Sequence, residues 1–314
     1  AMERELVSDD VEVRVFGAYP RRMFNEPRIH TIGLIGGTGQ MGRWFGPFFE
    51  KAGYRVLISG RTTPLTYQQC IEQSNAVIIN VPISHTVELI HKLAPCFRTG
   101  QLMVDNTSIK IQPVAAMLEV APEGVEVLGM HTVFGPTITE LRRQNVIFTS
   151  TPRSGELALE FEGIFYKYGA TITHTTPEYH DRQMAFHQNL EHFTKVVLAE
   201  VLRTQFGSPE VMATYSSPNS RLSLITMGRV LKGDPQLYAE IQTQNLQGAG
   251  LIQAYLRIAS EIGQALSHGD ADQFAQIMHQ CAKAFGAEFL SHAVETSNAI
   301  QRVTSASLSS RHPS

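Results

Sequence analysis

The feature that most constrains the fold is a glycine pattern, GxGxxG, placed between a strand-like and a helix-like segment. The segment "HTIGLIG" before it is short and largely apolar, which is typical of a buried parallel strand. The segment "QMGRWFGPFFEKAG" after it has apolar residues at helical spacing. Such glycines permit a tight turn and the close approach of a pyrophosphate, to which the helix N-terminus offers N–H groups. The pattern predicts a dinucleotide site formed by Gly37, Gly39, Gln40, Met41 and Gly42.

Strand-like and helix-like segments alternate up to about residue 175. Further strands are predicted at "YRVLIS", "NAVIINV", "LMVDN", "VEVLGM" and "NVIFTS". This alternation predicts an α/β fold with a Rossmann-type, doubly wound parallel sheet that binds ligands at the carboxyl ends of its strands. After Pro177 the sequence predicts an all-helical domain with long helices over 178–205, 220–233, 234–269 and 270–300. We expect an N-terminal turn-rich arm (1–28), a dinucleotide-binding domain (29–175), a helical domain (176–300) and a flexible tail (301–314).

The composition excludes several functional classes. The formal net charge of −3 gives no reason to expect a nucleic-acid partner. No apolar run approaches the roughly 20 residues of a membrane span, and the charged N-terminal segment lacks the apolar stretch of a secretory signal. The cysteines are Cys70, Cys96 and Cys281, a sparse set that favours reduced thiols in a cytoplasmic protein. The histidines form no HExxH motif, so no metal site is expected.

The second predicted strand lacks the acid that an NAD site normally places at its end, where a carboxylate binds the ribose hydroxyls. Gly60 occupies that position, between Ser59 and Arg61, with Thr62 close by. A guanidinium and hydroxyls can bind a 2′-phosphate that a carboxylate would repel. The sequence therefore favours NADP, with NAD possible. The alternative is that Arg61 is a solvated side chain, or stacks on the adenine without selecting either cofactor.

Polar residues follow three of the predicted strands, in "NVPIS" (80–84), "DNTSIK" (105–110) and "GMHTVFGPT" (129–137). All three should line the cofactor crevice, with Val81 and Pro82 against the cofactor. His131 is placed to accept a hydroxyl proton while hydride leaves the same carbon, because its pKa suits neutral pH. Ser108 could hold that imidazole or the substrate hydroxyl. A structural role is the alternative for a histidine in this position.

The helical half contains further polar candidates. His180 and His187 fall on about one helical face and His192 does not, so a shared metal is not expected. Arg221 and Arg229 are eight residues apart, near one face of a predicted helix. They bind a ligand carboxylate in one interpretation and form a solvated pair in the other.

These stretches together resemble the TyrA family of prephenate and arogenate dehydrogenases over about residues 29–300. The similar blocks are "GGTGQMGRWF", "VPISHTVELI", "DNTSIK", "HTVFGP", "EYHDRQMAFHQNLEHF" and "SSPNSRLSLITMGRVLKGDPQLYAEI". The resemblance implies that His131 is catalytic with Ser108 as its partner, and that the substrate is bound by His192, Arg221, Arg229 and Tyr238. It also implies a homodimer built through the helical domain and possible inhibition by tyrosine.

The resemblance is greatest to the dehydrogenase half of the bifunctional chorismate mutase–prephenate dehydrogenases. It implies oxidative decarboxylation of prephenate, a small molecule, in tyrosine biosynthesis, with arogenate as the alternative substrate. The arm is too short for a mutase domain, so a single activity is expected. The chain departs from the family in having His131-Thr132 for the usual His-Pro, and Gly60-Arg61 at the second strand.

Two other functions are compatible with the same plan. An enzyme of the β-hydroxyacid dehydrogenase or imine reductase kind would need a catalytic lysine, for which Lys195 is the candidate. An NADP-binding sensor without catalysis would need no combination of His131, Ser108 and Arg229.

Overall fold

The structure of the protein is a computed structural model that describes residues 4–8, 11–15, 27–207, 212 and 214–309. The chain forms two compact units. The sheet unit consists of residues 1–188 and 236–248, and the helical unit of residues 189–235 and 249–314. Residues 176–188 and 236–248, which the sequence assigned to the helical domain, thus belong to the sheet unit.

A single sheet organises the sheet unit. Within the described residues its strands are β1 (Arg4–Ser8), β2 (Val11–Val15), β3 (Thr31–Ile35), β4 (Arg55–Ser59), β5 (Ala76–Ile79), β6 (Leu102–Asp105), β7 (Glu126–Thr132), β8 (Asn145–Ser150) and β9 (Thr171–His174). They lie in the order β1-β2-β9-β8-β7-β6-β5-β3-β4.

The central strands run parallel, as the uninterrupted apolar runs predict. The pairs β3–β4, β3–β5, β5–β6 and β6–β7 are all parallel. The exception is β8, which pairs antiparallel with β7. The sequence between these two strands forms no helix, so the chain returns without the crossover that a parallel pair requires.

In the described residues, helices first alternate with strands and then, after β9, make up the rest of the chain. They are α1 (Gln40–Lys51), α2 (Tyr67–Glu72), α3 (Ile83–Leu93), α4 (Ile111–Val120), α5 (Glu156–Lys167), α6 (Pro177–Met184), α7 (Glu191–Gln205), α8 (Pro218–Leu231), α9 (Pro235–Gln244), α10 (Leu246–Ser267), α11 (Ala271–Phe285) and α12 (Ala287–Ser309). None of the described helices is long and apolar enough to cross a membrane.

Helices cover both faces of the sheet, which confirms the doubly wound plan. On one face, α1 and α5 bury a cluster of phenylalanines that includes Phe45, Phe49, Phe161 and Phe165. The rings of Phe161 and Phe165 are 5.5 Å apart, and those of Phe49 and Phe165 are 5.9 Å apart. Truncating a buried phenylalanine in such a core costs roughly 3–5 kcal/mol of unfolding free energy. The other face buries apolar residues of α2, α3 and α4.

Both predicted chain ends differ from the structure. In the arm, predicted to be irregular, β1 and β2 form an antiparallel pair, and β2 continues the sheet beside β9. The remainder of the arm up to residue 26 lies outside the described residues. The predicted flexible tail begins inside α12, which continues to Ser309, and residues 310–314 lie outside the described residues.

Three of the predicted long helices are interrupted. A π-helical segment, Ala185–Leu190, separates α6 from α7. Asn245 separates α9 from α10, because its side chain accepts a hydrogen bond from Gln247 N at 3.1 Å and so competes with the helix backbone. Gly286 separates α11 from α12 with a φ of 81°, a conformation that favours glycine.

Candidate active site

The glycine pattern forms the turn from β3 into α1. A Cβ on Gly42 would lie 2.4 Å from the Cα of Gly37, so only glycine allows this approach. Gly39 is the N-cap residue of α1 and no side chain caps the helix. The N–H groups of the first turn, which begins with Gln40 and Met41, can therefore bind a phosphate. These residues fit the pyrophosphate of a dinucleotide.

The turn after β4 uses its hydroxyl groups internally. Ser59 is buried and its hydroxyl donates to Leu65 O at 2.7 Å. The prediction that Ser59 contacts the cofactor is therefore corrected, because its hydroxyl is engaged with the backbone of its own turn. Arg61 and Thr62 are exposed and form no hydrogen bond with any residue that the structure describes. They are the side chains of this turn that could bind a 2′-phosphate.

The packing around Gly60 is one reason why the second predicted strand does not end in an acid. A Cβ at this position would lie 2.8 Å from Thr38 Oγ1 of the glycine pattern. A carboxylate at residue 60 would therefore require Thr38 to move. The two loops that would face the adenosine end of a dinucleotide are fitted to each other without a side chain at residue 60.

The segment after β5 is held by an acid from α9. Pro82 is the exposed N-cap residue of α3, which no side chain of its own caps, and Val81 before it is half-buried. The Glu240 carboxylate accepts hydrogen bonds from Ser84 N at 3.2 Å and Ser84 Oγ at 2.9 Å. Burial acts to raise the pKa of Glu240, but hydrogen bonds from Ser84 and Gln236 outweigh it and lower that pKa. This contact fixes α9, which carries the half-buried Tyr238, to the start of α3.

His131 is buried near the carboxyl end of β7, with 4% of its surface exposed. Its Nδ1 lies 2.8 Å from His180 Nε2, and its Nε2 lies 3.3 Å from Gln188 Nε2. Burial lowers the pKa of His131 well below its usual value, and the neighbouring His180 and Lys110 lower it further. The imidazole is therefore neutral at pH 7, as a proton acceptor must be.

The second histidine continues the contact to an acid. His180 Nδ1 lies 2.7 Å from Asp181 Oδ1. That carboxylate also accepts the backbone N–H of Lys110 at 2.7 Å and of Ile111 at 3.0 Å, at the N-terminus of α4. A carboxylate here is favoured by the helix dipole. Burial raises the pKa of Asp181, against the hydrogen bonds that lower it.

A buried ion pair between Lys110 and Asp105 lies close to His131 and His180. Lys110 Nζ donates to Asp105 Oδ2, and both side chains are fully buried. Asp105 Oδ1 accepts a further hydrogen bond from Thr107 N at 2.9 Å. Burial lowers the pKa of Lys110 and raises that of Asp105, while their mutual attraction opposes both shifts. The pair sets the path of the "DNTSIK" segment beneath the histidines.

Ser108 does not hold the His131 imidazole in this structure. It is half-buried, and no hydrogen bond of its side chain occurs within the described part of the chain. Both ring nitrogens of His131 contact other residues, His180 and Gln188. The predicted contact is corrected for that reason, which leaves the Ser108 hydroxyl available to a substrate.

The remaining predicted residues belong to the helical unit. His192 lies in the first turn of α7, and burial lowers its pKa to about 4 although Glu191 acts to raise it. Arg221 is half-buried and Arg229 exposed, both in α8. Neither arginine forms an ion pair within the described ranges. That arrangement is compatible with both interpretations of the arginines, a ligand carboxylate or a solvated pair.

Sequence reasoning missed several residues of this site. It considered His180 only as a metal ligand, and Asp181, Gln188, Lys110 and Glu240 received no role. A signal existed for three of them, His180, Asp181 and Lys110, because a His-Asp pair and a lysine at a strand-to-helix turn are unusual beside a buried sheet edge. No group of His, Cys, Asp or Glu in the described residues could hold a metal ion.

A phosphate-binding glycine turn and a buried neutral imidazole at one sheet edge are features of nicotinamide-dependent dehydrogenases. Two family models match the chain: the prephenate dehydrogenase nucleotide-binding domain over residues 56–173, and the prephenate dehydrogenase dimerization domain over residues 176–280. The chain belongs to the prephenate dehydrogenase family, which confirms the resemblance noted in its sequence.

Named relatives support this membership. A probable arogenate/prephenate dehydrogenase of Methanocaldococcus jannaschii is 31% identical over 88% of this chain and 65% of its own length. The T-protein of Haemophilus influenzae is 31% identical over 82% of this chain and 68% of its own length. The chain thus spans about two thirds of the length of each relative.

A solved structure confirms the fold. The prephenate dehydrogenase from A. aeolicus, determined in complex with hydroxyphenyl propionate and NAD+, has a TM-score of 0.63 at 17% identity. The match covers 80% of this chain and 96% of that chain. The predicted fold class, a Rossmann-type sheet followed by a helical domain, is confirmed.

Proposed function

We propose that this protein is a prephenate dehydrogenase that converts prephenate to 4-hydroxyphenylpyruvate in tyrosine biosynthesis. The observation that carries the proposal is the buried, neutral His131 at the carboxyl end of β7, in a chain of the prephenate dehydrogenase family. A nicotinamide cofactor bound at the glycine turn would accept the hydride.

His131 would act as the general base. The proton of the ring hydroxyl passes to its imidazole as hydride leaves the same carbon. The bond to the ring carboxylate then breaks, CO₂ leaves, and its electron pair completes the aromatic ring while the ring oxygen takes the proton back. The aromatic product makes the reaction effectively irreversible. Ser108, which has no partner of its own among the described residues, would position the substrate hydroxyl.

The carboxylate of the substrate needs a cation. Arg229 is exposed and without an ion pair among the described residues, and Arg221 lies eight residues before it on the same helix. Guanidinium groups bind carboxylates with paired hydrogen bonds. We assign carboxylate binding to Arg229, with Arg221, His192 and Tyr238 as further substrate-binding residues.

We further propose NADP as the preferred cofactor, with NAD possible. Residue 60 carries no carboxylate, and Arg61 and Thr62 are exposed beside it with unused hydrogen-bonding groups. With the Ser59 hydroxyl bound to Leu65, selection of the 2′-phosphate depends on Arg61 and Thr62.

A homodimer is proposed from the helical unit. Neither α7 nor α11 has a buried residue, although both carry apolar side chains at regular intervals. The exposed apolar side chains of these two helices include Val196, Val197, Val201, Phe274 and Met278. Exposed apolar surface of this extent marks an interaction surface, and the dimerization-domain model covers all of α7 and the part of α11 up to residue 280. Inhibition by tyrosine and a cytoplasmic location remain predictions.

The alternatives differ in what they require. Arogenate carries the same ring hydroxyl and ring carboxylate, so it remains the alternative substrate. An enzyme of the imine reductase or β-hydroxyacid dehydrogenase kind would use Lys195, whose ammonium instead lies 3.5 Å from Glu191. A cofactor-binding sensor would need no buried base.

The deciding experiment mixes the purified protein with prephenate or arogenate, each with NAD+ or NADP+, and follows nicotinamide reduction. We expect the fastest turnover with prephenate and NADP+. A preference for arogenate would change the substrate and keep the chemistry. Cofactor binding without turnover in all four mixtures would refute the dehydrogenase and support the sensor.

A further inference from the structure

His131, His180 and Asp181 form a continuous series of short contacts in the sheet unit. The two steps are 2.8 Å from His131 Nδ1 to His180 Nε2 and 2.7 Å from His180 Nδ1 to Asp181 Oδ1. Each imidazole is neutral, because burial lowers the pKa of both histidines well below the usual value. A neutral imidazole has one N–H and one lone pair, so the direction of each hydrogen bond is fixed by its neighbours.

The acid end of the series sets one direction. Both Asp181 oxygens already accept backbone N–H groups, from Lys110 and Ile111. An ionised carboxylate can only accept, so His180 must carry its proton on Nδ1 and offer the Nε2 lone pair. His131 must then donate from Nδ1 to that lone pair, which leaves the lone pair of His131 on Nε2.

The contact at the opposite end of the series is compatible with the same direction. The Gln188 amide nitrogen, which can only donate, lies 3.3 Å from His131 Nε2. It contacts that nitrogen favourably only if Nε2 is unprotonated. Gln188 lies in the π-helical segment Ala185–Leu190, a rare conformation that often occurs at functional sites. With the amide nitrogen placed toward the ring, this contact agrees with the direction that Asp181 sets.

We propose that Asp181 and His180 are positioning residues that hold His131 in the Nδ1–H tautomer, so that Nε2 is the atom that takes the substrate hydroxyl proton. This inference rests on the proposed dehydrogenase function and adds to it the reacting atom and two residues outside the substrate contacts. The Gln188 amide donates to Nε2 until the substrate hydroxyl takes its place. Asp181 and His180 act through His131 and do not themselves take the substrate proton.

The test uses Asp181→Ala in the full-length protein. This variant removes the oxygen that accepts the His180 Nδ1 proton, so nothing fixes the tautomer of His180, and His131 divides between the Nδ1–H and Nε2–H forms. We expect kcat to fall by about 10–100-fold with KM and cofactor affinity nearly unchanged, because only part of the protein then carries a free lone pair at Nε2.

A spectroscopic measurement separates this role from a structural one. Nitrogen chemical shifts of ¹⁵N-labelled histidines distinguish the two tautomers. They should show His131 as Nδ1–H in the native protein and as a mixture of the two tautomers in Asp181→Ala. This measurement does not need turnover, so it stays informative if the dehydrogenase assay fails and the proposed function is wrong. An Nε2–H tautomer in the native protein would overturn the inference.

A matched control exists in the same unit. Glu162 is a buried carboxylate whose Oε2 lies 3.0 Å from His174 Nε2, a histidine–acid pair outside the site. Glu162→Gln should leave kcat within about twofold, and His131 as Nδ1–H. His180→Phe removes the acceptor of the Nδ1 proton, and we expect a mixture of His131 tautomers with reduced kcat. Full activity in both Asp181→Ala and His180→Phe would refute the positioning role.

Discussion

His131 and Arg61 both lie at the carboxyl ends of strands in one sheet, but their surroundings are opposite. The imidazole is 4% exposed and contacts His180 and Gln188, whereas the guanidinium is exposed and contacts no polar group among the described residues. A buried side chain held at both ends has one geometry, so a change there should remove function. An exposed side chain acquires its geometry from the ligand, so a change there should shift selectivity and leave the protein intact.

The largest effect is expected at the buried end, from His131→Asn. It should lower turnover by about 10²–10⁴-fold, because the proton acceptor is lost. Cofactor affinity, measured by nicotinamide fluorescence, should not change. The exposed His91→Asn is the matched control and should retain full turnover. Equal turnover in both variants would remove His131 from the reaction.

The ion pair beneath the histidines should be the next most sensitive position. Lys110→Met leaves Asp105 charged and fully buried, which costs roughly 3–5 kcal/mol of unfolding free energy. Urea unfolding at pH 7 measures the loss. The double variant Asp105→Asn with Lys110→Met should recover most of it, since no buried charge remains. A single variant as stable as the native protein would show that this end of the sheet is less constrained than its burial indicates.

An intermediate effect is expected at Arg229, the exposed cation assigned to the substrate carboxylate. Arg229→Ala should raise KM with little change in kcat, by an amount that corresponds to about 1.5–3 kcal/mol for a charged hydrogen bond. The unfolding free energy should not change. Arg203, an exposed arginine that pairs with Glu200, is the control in the same unit. An unchanged KM in Arg229→Ala would favour the solvated-pair interpretation.

The smallest effect is expected at Arg61. Arg61→Ala should lower the ratio of kcat/KM for NADP+ to kcat/KM for NAD+ by about tenfold, because solvent screens an exposed contact. Arg98, an exposed arginine just before β6 at the amino end of the strands, is the matched control. A ratio that does not change would mean that Arg61 stacks on the adenine or is simply solvated.

The same contrast explains what could be predicted from the sequence. Buried parallel strands are uninterrupted apolar runs, and GxGxxG has one dominant structural use, so the sheet and its ligand edge were predictable. His131 was identified because it follows such a run. Its partner His180 was not, since the contact joins residues 49 positions apart and no local pattern encodes it.

Other differences between the sequence prediction and the structure also have causes in nearby residues. The Ser59 hydroxyl was expected to bind a cofactor, but a backbone carbonyl six residues away accepts its hydrogen bond first. The antiparallel direction of β8 depends on the absence of a helix before it, and not on the strand's own residues. In the arm, Val11–Val15 alternates apolar and charged residues, which is the pattern of a half-buried strand, so the sequence did contain a signal for β2 that the prediction missed.

The π-helical segment Ala185–Leu190 has a consequence for how relatives should be aligned. Its hydrogen bonds span one residue more than those of an α-helix, so a chain lacking one residue here could close ordinary turns and keep an unbroken helix. Residues after the deletion point would turn by about 100° around the axis. A loss before Gln188 would carry its amide away from His131 Nε2. A single-position gap at 185–188 in an otherwise similar sequence would therefore mark a homologue whose hydroxyl-binding geometry has changed, even where every histidine is retained.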